Sequence, residues 1–526
     1  MEEAPKVVYE DASKVDDHDG RVGQIARGAG VGSFGQGTGR VLGFAMQLVL
    51  ARTLGPSLMG AYLLGTIIVN LANILSQLGM DNGLVRWVAH YRATGDDARV
   101  KGTIVQALVL SFALSLVLAA AVFFSSGYLA TRVFDKPFLA TLLKAFSFAI
   151  PFFSVMSMSL WATQGFKIVK YSAFVQQVVQ PLTALVLVVV FYLLGAPIFG
   201  AVGAYVISMV LGSILGLFYL RKVFPKITDA TVPSVFETRE LFRVSGPMIV
   251  ASFMRHLNTW TSTLVVGAFV TTGAVALYNT AARTALLASV FVIAFNGIFS
   301  PIIADLYRRG KMEDLAETYK DVSRWVFTAT LVFFLAMVVL AKDVMSVFGP
   351  RFVEGWPVLV IVAGAQMFSA SVGSTGRLLA MTDRQRIVMY ATVGTVILNV
   401  ALNVFLVPRY GIVGSAVATA LAMIAINAVT LMSVKRTLGL WPYTPAYLKT
   451  ILAGGVALVA AYLLRLVLPL PVGFITVLVV GAVYLTVFAV GLVALGLSPS
   501  DRKFVESGWD AVLYKLRRRG KKRRAS

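Results

Sequence analysis

Long apolar runs, nearly free of charge, recur along this chain from about residue 29 to residue 496. Each is close to the ~20 residues that a helix needs to cross the hydrocarbon core of a bilayer. A chain with such runs has few ways to fold. Lipid cannot satisfy exposed backbone groups, so a spanning segment is either a helix or a strand of a closed barrel. The strand-length alternation of a barrel is missing here. The expected fold is therefore an all-α polytopic membrane protein. Composition agrees, with 58% of the 526 residues hydrophobic, 14% charged and a mean hydropathy of +0.79.

The runs divide into fourteen expected spans, at approximately 31–54, 57–80, 102–125, 138–163, 171–194, 198–220, 241–268, 272–304, 322–341, 355–381, 387–407, 412–434, 447–468 and 472–496. Loops on one side hold about 21 Lys and Arg, against about 7 on the other, which assigns the first set to the cytoplasm. An even number of spans then puts both termini in the cytosol, for a multi-pass protein of the cell membrane. The net charge of +22 reflects this topology and does not imply a nucleic-acid partner. Residues 1–28 are polar, lack the apolar core of a signal peptide, and read as a disordered cytosolic tail. Residues 497–526 combine Phe504, Trp509, Leu513 and Leu516 with a basic end, and read as an amphipathic, polybasic tail lying on anionic membrane lipids.

The two halves repeat. A shift of 216 positions (278 − 62) places Tyr62 on Tyr278, Tyr91 on Tyr307 and Arg92 on Arg308, and Arg40 on His256 beside Arg255. ATQGFKIVKY (162–171) parallels AMTDRQRIVMY (380–390), and GAVGAYVIS (200–208) parallels GIVGSAVAT (411–419). The expected organisation is an N-lobe at 29–220, a cytosolic linker at 221–240 and a C-lobe at 241–436. Spans 13 and 14 follow at 437–496 as an added hairpin. Both lobes start on the same side, as in a parallel repeat about an axis along the membrane normal.

Several chemistries are excluded or disfavoured. There is no cysteine, and the three histidines, His18, His90 and His256, lie far apart, so no metal site is expected. No GxxxxGK[ST] occurs, and no nucleophile–base pair or carboxylate dyad lies within a span, so neither an enzyme nor a cofactor is expected. Gly30 to Gly35 spell GxGxxG, but a polar tail precedes them where a dinucleotide fold needs a strand. With Gly39 and Gly43 they read as a helix-packing stripe.

The chemistry concentrates in cations inside the spans. Arg40 lies near the middle of the first, where a charge costs roughly 2.5–3.5 kcal/mol and should face a cavity or a partner. Gln36 and Gln47, at i−4 and i+7, share its helical face. Arg255 and His256 occupy span 7, Arg283 follows Asn279 by one turn in span 8, and Lys144 sits about two turns into span 4. Acidic residues such as Asp305 and Glu354 lie at span ends, so something anionic, or water, should compensate the arginines. Guanidinium groups bind phosphate bidentately, which makes a phosphate or pyrophosphate the natural ligand. Gln176, Gln177 and Gln180, before Pro181, and further on Gln366, Asn399, Asn403 and Asn427, suit sugar hydroxyls, although interhelical hydrogen bonding explains such amides equally well. Pro151, Pro181, Pro247 and Pro301 fall inside spans and should kink them.

LGPSLMGAYLLGTIIVNLANILSQLGMDNGLVRWVAHY (54–91) and SGPMIVASFMRHLNTWTSTLVVGAFVTTGAVALYNTAARTA (245–285) resemble blocks of the polysaccharide-transport flippases. These belong to the multidrug/oligosaccharidyl-lipid/polysaccharide exporter superfamily, with its MATE-like fold. The resemblance implies two six-helix lobes in a V shape and alternating access. It also implies a polyprenyl-(pyro)phosphate-linked oligosaccharide as substrate, with glycan polymerase or glycosyltransferase components as partners. The alternatives are a cation-coupled multidrug exporter of the same superfamily, a lipid II-type flippase, or a scramblase or assembly scaffold. The drug exporters usually carry a carboxylate in the first span, where this chain has Arg40.

Overall fold

The computed structural model describes residues 13–467, 471, 473–496 and 501. Side chains are described from residue 37 on, except at 239–248, 250–252, 255, 258 and 298. Within these bounds the chain is helical and has no strand. It forms two compact units, Met1–Trp260 and Thr261–Ser526.

The first unit contains α1 (Ser13–Ser76), α2 (Met80–Ala93), α3 (Asp97–Tyr128), α4 (Leu139–Ser147) and α5 (Ala149–Gly165). These are followed by α6 (Lys170–Phe174), α7 (Gln180–Leu193), α8 (Pro197–Val223) and α9 (Thr238–Phe269), the last running across the division between units. The second contains α10 (Thr272–Ala285), α11 (Ser289–Arg308), α12 (Met312–Phe348), α13 (Trp356–Val372) and α14 (Thr375–Met381). It ends with α15 (Gln385–Leu438), α16 (Ala446–Val467) and α17 (Phe474–Ala494).

Among the described residues, eleven helical runs are long and apolar enough to cross a membrane. Two of them are broken at a glycine: α1 at Gly55 (φ 67°, ψ 177°) and α15 at Gly411 (φ 55°, ψ −135°). Only glycine adopts such angles without cost, and Pro56 and Pro408 nearby remove a backbone donor each. The count of fourteen spans stands as an expectation. Helix α1 begins at Ser13, inside the stretch that the sequence assigns to a polar tail, and residues 1–12 lie outside the described residues. So does the C-terminal tail apart from Asp501. That residue takes hydrogen bonds from Arg324 Nη2 and Trp325 Nε1 of α12, both at 2.8 Å.

Two of the expected proline breaks are visible in unit 1. Helix α4 ends at Ser147, four residues before Pro151, and the π-turn Val175–Val179 contains Gln177, four residues before Pro181. In each case the proline leaves the carbonyl of residue i−4 without its donor, and the ladder yields there.

Packing, rather than a hydrophobic drive, holds helices together in lipid, so close approach and buried hydrogen bonds matter most. Ser111 Oγ donates to the Ser76 carbonyl at 2.9 Å and lies 2.7 Å from Ser154 Oγ, joining α1, α3 and α5. Tyr62, Phe146 and Tyr205 form an edge-to-face triangle, and a Cβ at Gly65 would lie 2.3 Å from the Phe146 ring. In unit 2, Asn403 is fully buried. It donates to Ser262 Oγ at 3.2 Å and accepts from Ser415 Oγ at 2.7 Å, while Thr419 meets Ser262 and the Tyr278 hydroxyl. These amides serve as interhelical ties.

The segment after α8 is clasped to the start of α3. Lys101 Nζ donates to the carbonyls of Asp229 and Val232 at 2.6 and 2.9 Å, and the Val235 N–H donates to the Ala98 carbonyl at 3.2 Å. Glu237 pairs with Arg99 at 2.8 Å and accepts from the Tyr91 hydroxyl, and Lys226 pairs with Asp97. The Thr231 hydroxyl and amide hold the Asp229 carboxyl below the usual carboxylate range. A Cβ at Gly102 would lie 1.8 Å from the Val235 carbonyl oxygen. Gly102→Val is therefore expected to detach this segment and make Lys226 markedly more susceptible to limited trypsin digestion. Wild-type cleavage rates would show that the clasp does not protect it.

Candidate substrate-binding site

In unit 1, α1 packs against the π-turn Val175–Val179 and α7. Gly39 permits this: a Cβ there would lie 2.3 Å from Gln177 Oε1. Arg40, the next residue, is exposed and pairs with no carboxylate among the described residues. Arg40 thus follows directly on the residue at which α1 meets Gln177. The amide nearest Gly39 is that of Gln177, and its neighbour Gln176 is half-buried. Gln180 donates to Ser208 Oγ of α8 at 3.3 Å, which ties it into the packing of the unit. Gln47 is buried, and its Nε2 has no hydrogen-bond partner among the described residues. Gly43 meets open space, so the packing stripe operates at Gly39 and not at Gly43. The side chain of Gln36 lies outside the described residues.

Lys144 is exposed on α4 with its ammonium 5.6 Å from the centre of the Phe123 ring. A cation on an aromatic face is already partly satisfied, which sets Lys144 apart from Arg40. In α9, His256 packs on Trp260 with ring centres 5.3 Å apart, and the side chain of Arg255 lies outside the described residues.

In unit 2, Asn279 and Arg283 lie one turn apart on α10. Asn279 is 8% exposed, with an Oδ1 that accepts no hydrogen bond from any described residue. Arg283 is exposed. The Asn279 oxygen is shut off from the surface, so of the two it is the guanidinium that is accessible, as recognition of an anion requires.

One ion pair escaped the reading of the sequence. Asp343, fully buried in α12, lies 2.9 Å from Arg465 Nη1 of α16, without the alignment of a hydrogen bond. Arg465 also donates to the Val339 carbonyl at 2.7 Å, and the Gly473 N–H reaches Asp343 Oδ1 at 3.4 Å. The available signal was a carboxylate just past an apolar run whose helix continues to Phe348. Among the described residues no group of acidic or imidazole side chains is placed to hold a metal ion.

Comparison with known proteins places this architecture. The family model described as "Polysaccharide biosynthesis protein" matches residues 25–307, more than half of the chain. The chain belongs to the polysaccharide biosynthesis protein family. It is 28% identical over 228 residues to the Haloferax volcanii protein named "probable low-salt glycan biosynthesis flippase Agl15", covering 43% of this chain and 48% of that protein. It is 28% identical over 240 residues to stage V sporulation protein B of Bacillus subtilis, covering 43% of this chain and 46% of that one. These alignments span about half the length of the curated relatives. The fold is similar to that of a solved structure of the lipid II flippase MurJ, itself in an inward closed conformation, with a TM-score of 0.70 at 16% identity over 88% of this chain and 97% of that one. A multidrug resistance MATE family transporter in an inward-facing conformation is also similar, with a TM-score of 0.61 at 16% identity over 76% of this chain and 94% of that one, so the MATE-like fold implied by the sequence blocks is the fold observed.

Proposed function

We propose that this protein is a flippase that moves a polyprenyl-(pyro)phosphate-linked oligosaccharide across the cell membrane for assembly of a surface glycan. The observation that carries this reading is the coincidence of polysaccharide-biosynthesis family membership with the fold of a lipid flippase. The accessible arginines within apolar runs, Arg40 in unit 1 and Arg283 in unit 2, supply the chemistry for the phosphate. Arg255 and His256 join them by the internal repeat. Gln36, Gln47, Gln176, Gln180 and Asn279 offer amides to the sugar, and Lys144 has a lesser part. Anionic membrane lipids and the glycan polymerase or glycosyltransferase components are the expected partners.

The test uses cells that need this protein for their surface glycan. Depleting it should remove the glycan from the surface while its lipid-linked precursor accumulates inside. A precursor that still reaches the outer leaflet at the normal rate would reject the reading. The proposed topology puts both termini in the cytosol. Because the chain has no cysteine, one introduced at Ser13 reports on this in the same cells. It should resist an impermeant thiol reagent, and labelling from outside would reject the topology.

A further inference from the structure

A second cationic pocket lies in unit 1, at the end of α2 and the corner between α5 and α6. It has a volume of about 530 Å³, and its walls include Ala89, Arg92, Gly165, Phe166, Lys167 and Ile168. It is separate from the candidate site on α1 and α7. No carboxylate lines it. The acids nearest in sequence are engaged elsewhere: Asp96 with Arg99 and Asp97 with Lys226.

One of the two cations is held by its neighbours. Arg92 Nη1 donates to the Phe166 carbonyl at 2.7 Å, and its guanidinium carbon lies 5.2 Å from the centre of the Phe166 ring. That single bond uses one of five N–H donors and fixes the plane of the fork. Lys167 follows Phe166 in the chain and lines the same pocket, on its exposed side. Its backbone is left-handed, with φ 62°, a conformation costly for a lysine and one that directs the chain around the pocket. The corner is rigid, because a Cβ at Gly165 would lie 2.7 Å from Val88 of α2.

The internal repeat provides a comparison. The matching corner of unit 2 also carries a left-handed residue, Asp383 at φ 61°. Arg308, which the repeat sets opposite Arg92, is exposed, while Arg384, the residue after Asp383, is taken up by the fold. It donates to the Thr382 carbonyl at 2.9 Å and to the Tyr307 hydroxyl and the Thr437 carbonyl, both at 3.3 Å. The same left-handed corner therefore presents an acid in unit 2 where unit 1 presents a lysine.

We propose that the Arg92–Lys167 pocket binds a phosphate group. The fork supplies bidentate hydrogen bonds, the ammonium a second charge, and the Phe166 wall a partly dry surround that strengthens both. The volume exceeds that of a bare phosphate and suits one carrying a substituent, either a phospholipid headgroup or a soluble phosphorylated compound. The proposal is independent of the flippase reading, since it uses neither Arg40 nor Arg283.

The test is thermal stabilisation of the purified full-length protein in neutral detergent, titrated separately with phosphatidylglycerol, sodium pyrophosphate and phosphatidylcholine. Phosphatidylglycerol or pyrophosphate should raise the melting temperature and phosphatidylcholine should not. A response to phosphatidylglycerol alone identifies a lipid headgroup, and a response to pyrophosphate identifies a soluble phosphate. Lys167→Gly removes the ammonium and relieves the left-handed strain, so it keeps the fold. It should raise the midpoint of the effective titration about tenfold, as should Arg92→Gln, each losing a charge-assisted contact. Arg384→Gln in unit 2 should leave the midpoint unchanged. No stabilisation by either phosphate, or an unchanged midpoint in both unit 1 variants, overturns the proposal.

Discussion

Replacing Arg283 by alanine is expected to abolish surface display of the glycan at normal levels of the protein in the membrane. A guanidinium within an apolar run is costly to maintain, and in the proposed role it forms two parallel hydrogen bonds to a phosphate that no neutral side chain replaces. Losing such a charge-assisted pair removes ~1.5–3 kcal/mol or more, at least about tenfold in binding. Arg283→Lys should recover part of the display, because an ammonium keeps the charge and loses the planar fork. Arg40→Ala should behave like Arg283→Ala. Lys144→Ala should be milder, since Lys144 already rests on Phe123. The measurement is surface glycan normalised to protein abundance. Wild-type display in both Arg40→Ala and Arg283→Ala would make these arginines structural and end the anion-binding account.

The second large effect concerns stability. Asp343→Ala leaves Arg465 against α12 with its positive charge uncompensated. Breaking a buried ion pair by removing one partner costs about 3–5 kcal/mol. The Arg465 side chain is 28% exposed and can shift toward the interface, so a cost of about 2 kcal/mol is expected. The purified variant should melt at a lower temperature and accumulate poorly. Asp343→Leu combined with Arg465→Met should recover most of the loss, because the pair then leaves no charge behind. If the double variant is no better than Asp343→Ala, the damage lies in packing and not in the stranded charge.

The helical membrane fold was legible because lipid enforces a simple rule on the sequence. A spanning helix must be long and apolar, and those properties are local. The proposed repeat rests on a signal of the same local kind, Tyr62 and Tyr278, or Tyr91 and Tyr307, recurring at one fixed shift along the sequence. The candidate site was legible only in part. Arg40 and Arg283 stand out because a charge in an apolar run is an anomaly that can be seen without coordinates. The choice of Gln177 over Gln176 as the residue on Gly39 could not be read. It depends on the π-turn before Pro181, which rotates the helix face relative to a regular 3.6-residue count. The Asp343–Arg465 pair was hidden for a different reason. Its members are 122 positions apart (465 − 343), and each lies near the end of its apolar run, where a charge is ordinary.

The clasp on α3 bears on the order in which the chain can be built. The Tyr91 hydroxyl waits for a carboxylate 146 residues further on, and Lys101 for carbonyls 128 and 131 residues ahead. During synthesis the long helices of unit 1 through α8 leave the ribosome before any of these partners exists. A chain made from its N terminus therefore passes through a stage in which α1 to α8 are complete and the charged edge of α3 is bare. Glu237, one residue before α9, closes that edge last. Translation itself thus sets a checkpoint: the first half is sealed only as the first helix leading into the second half begins to emerge.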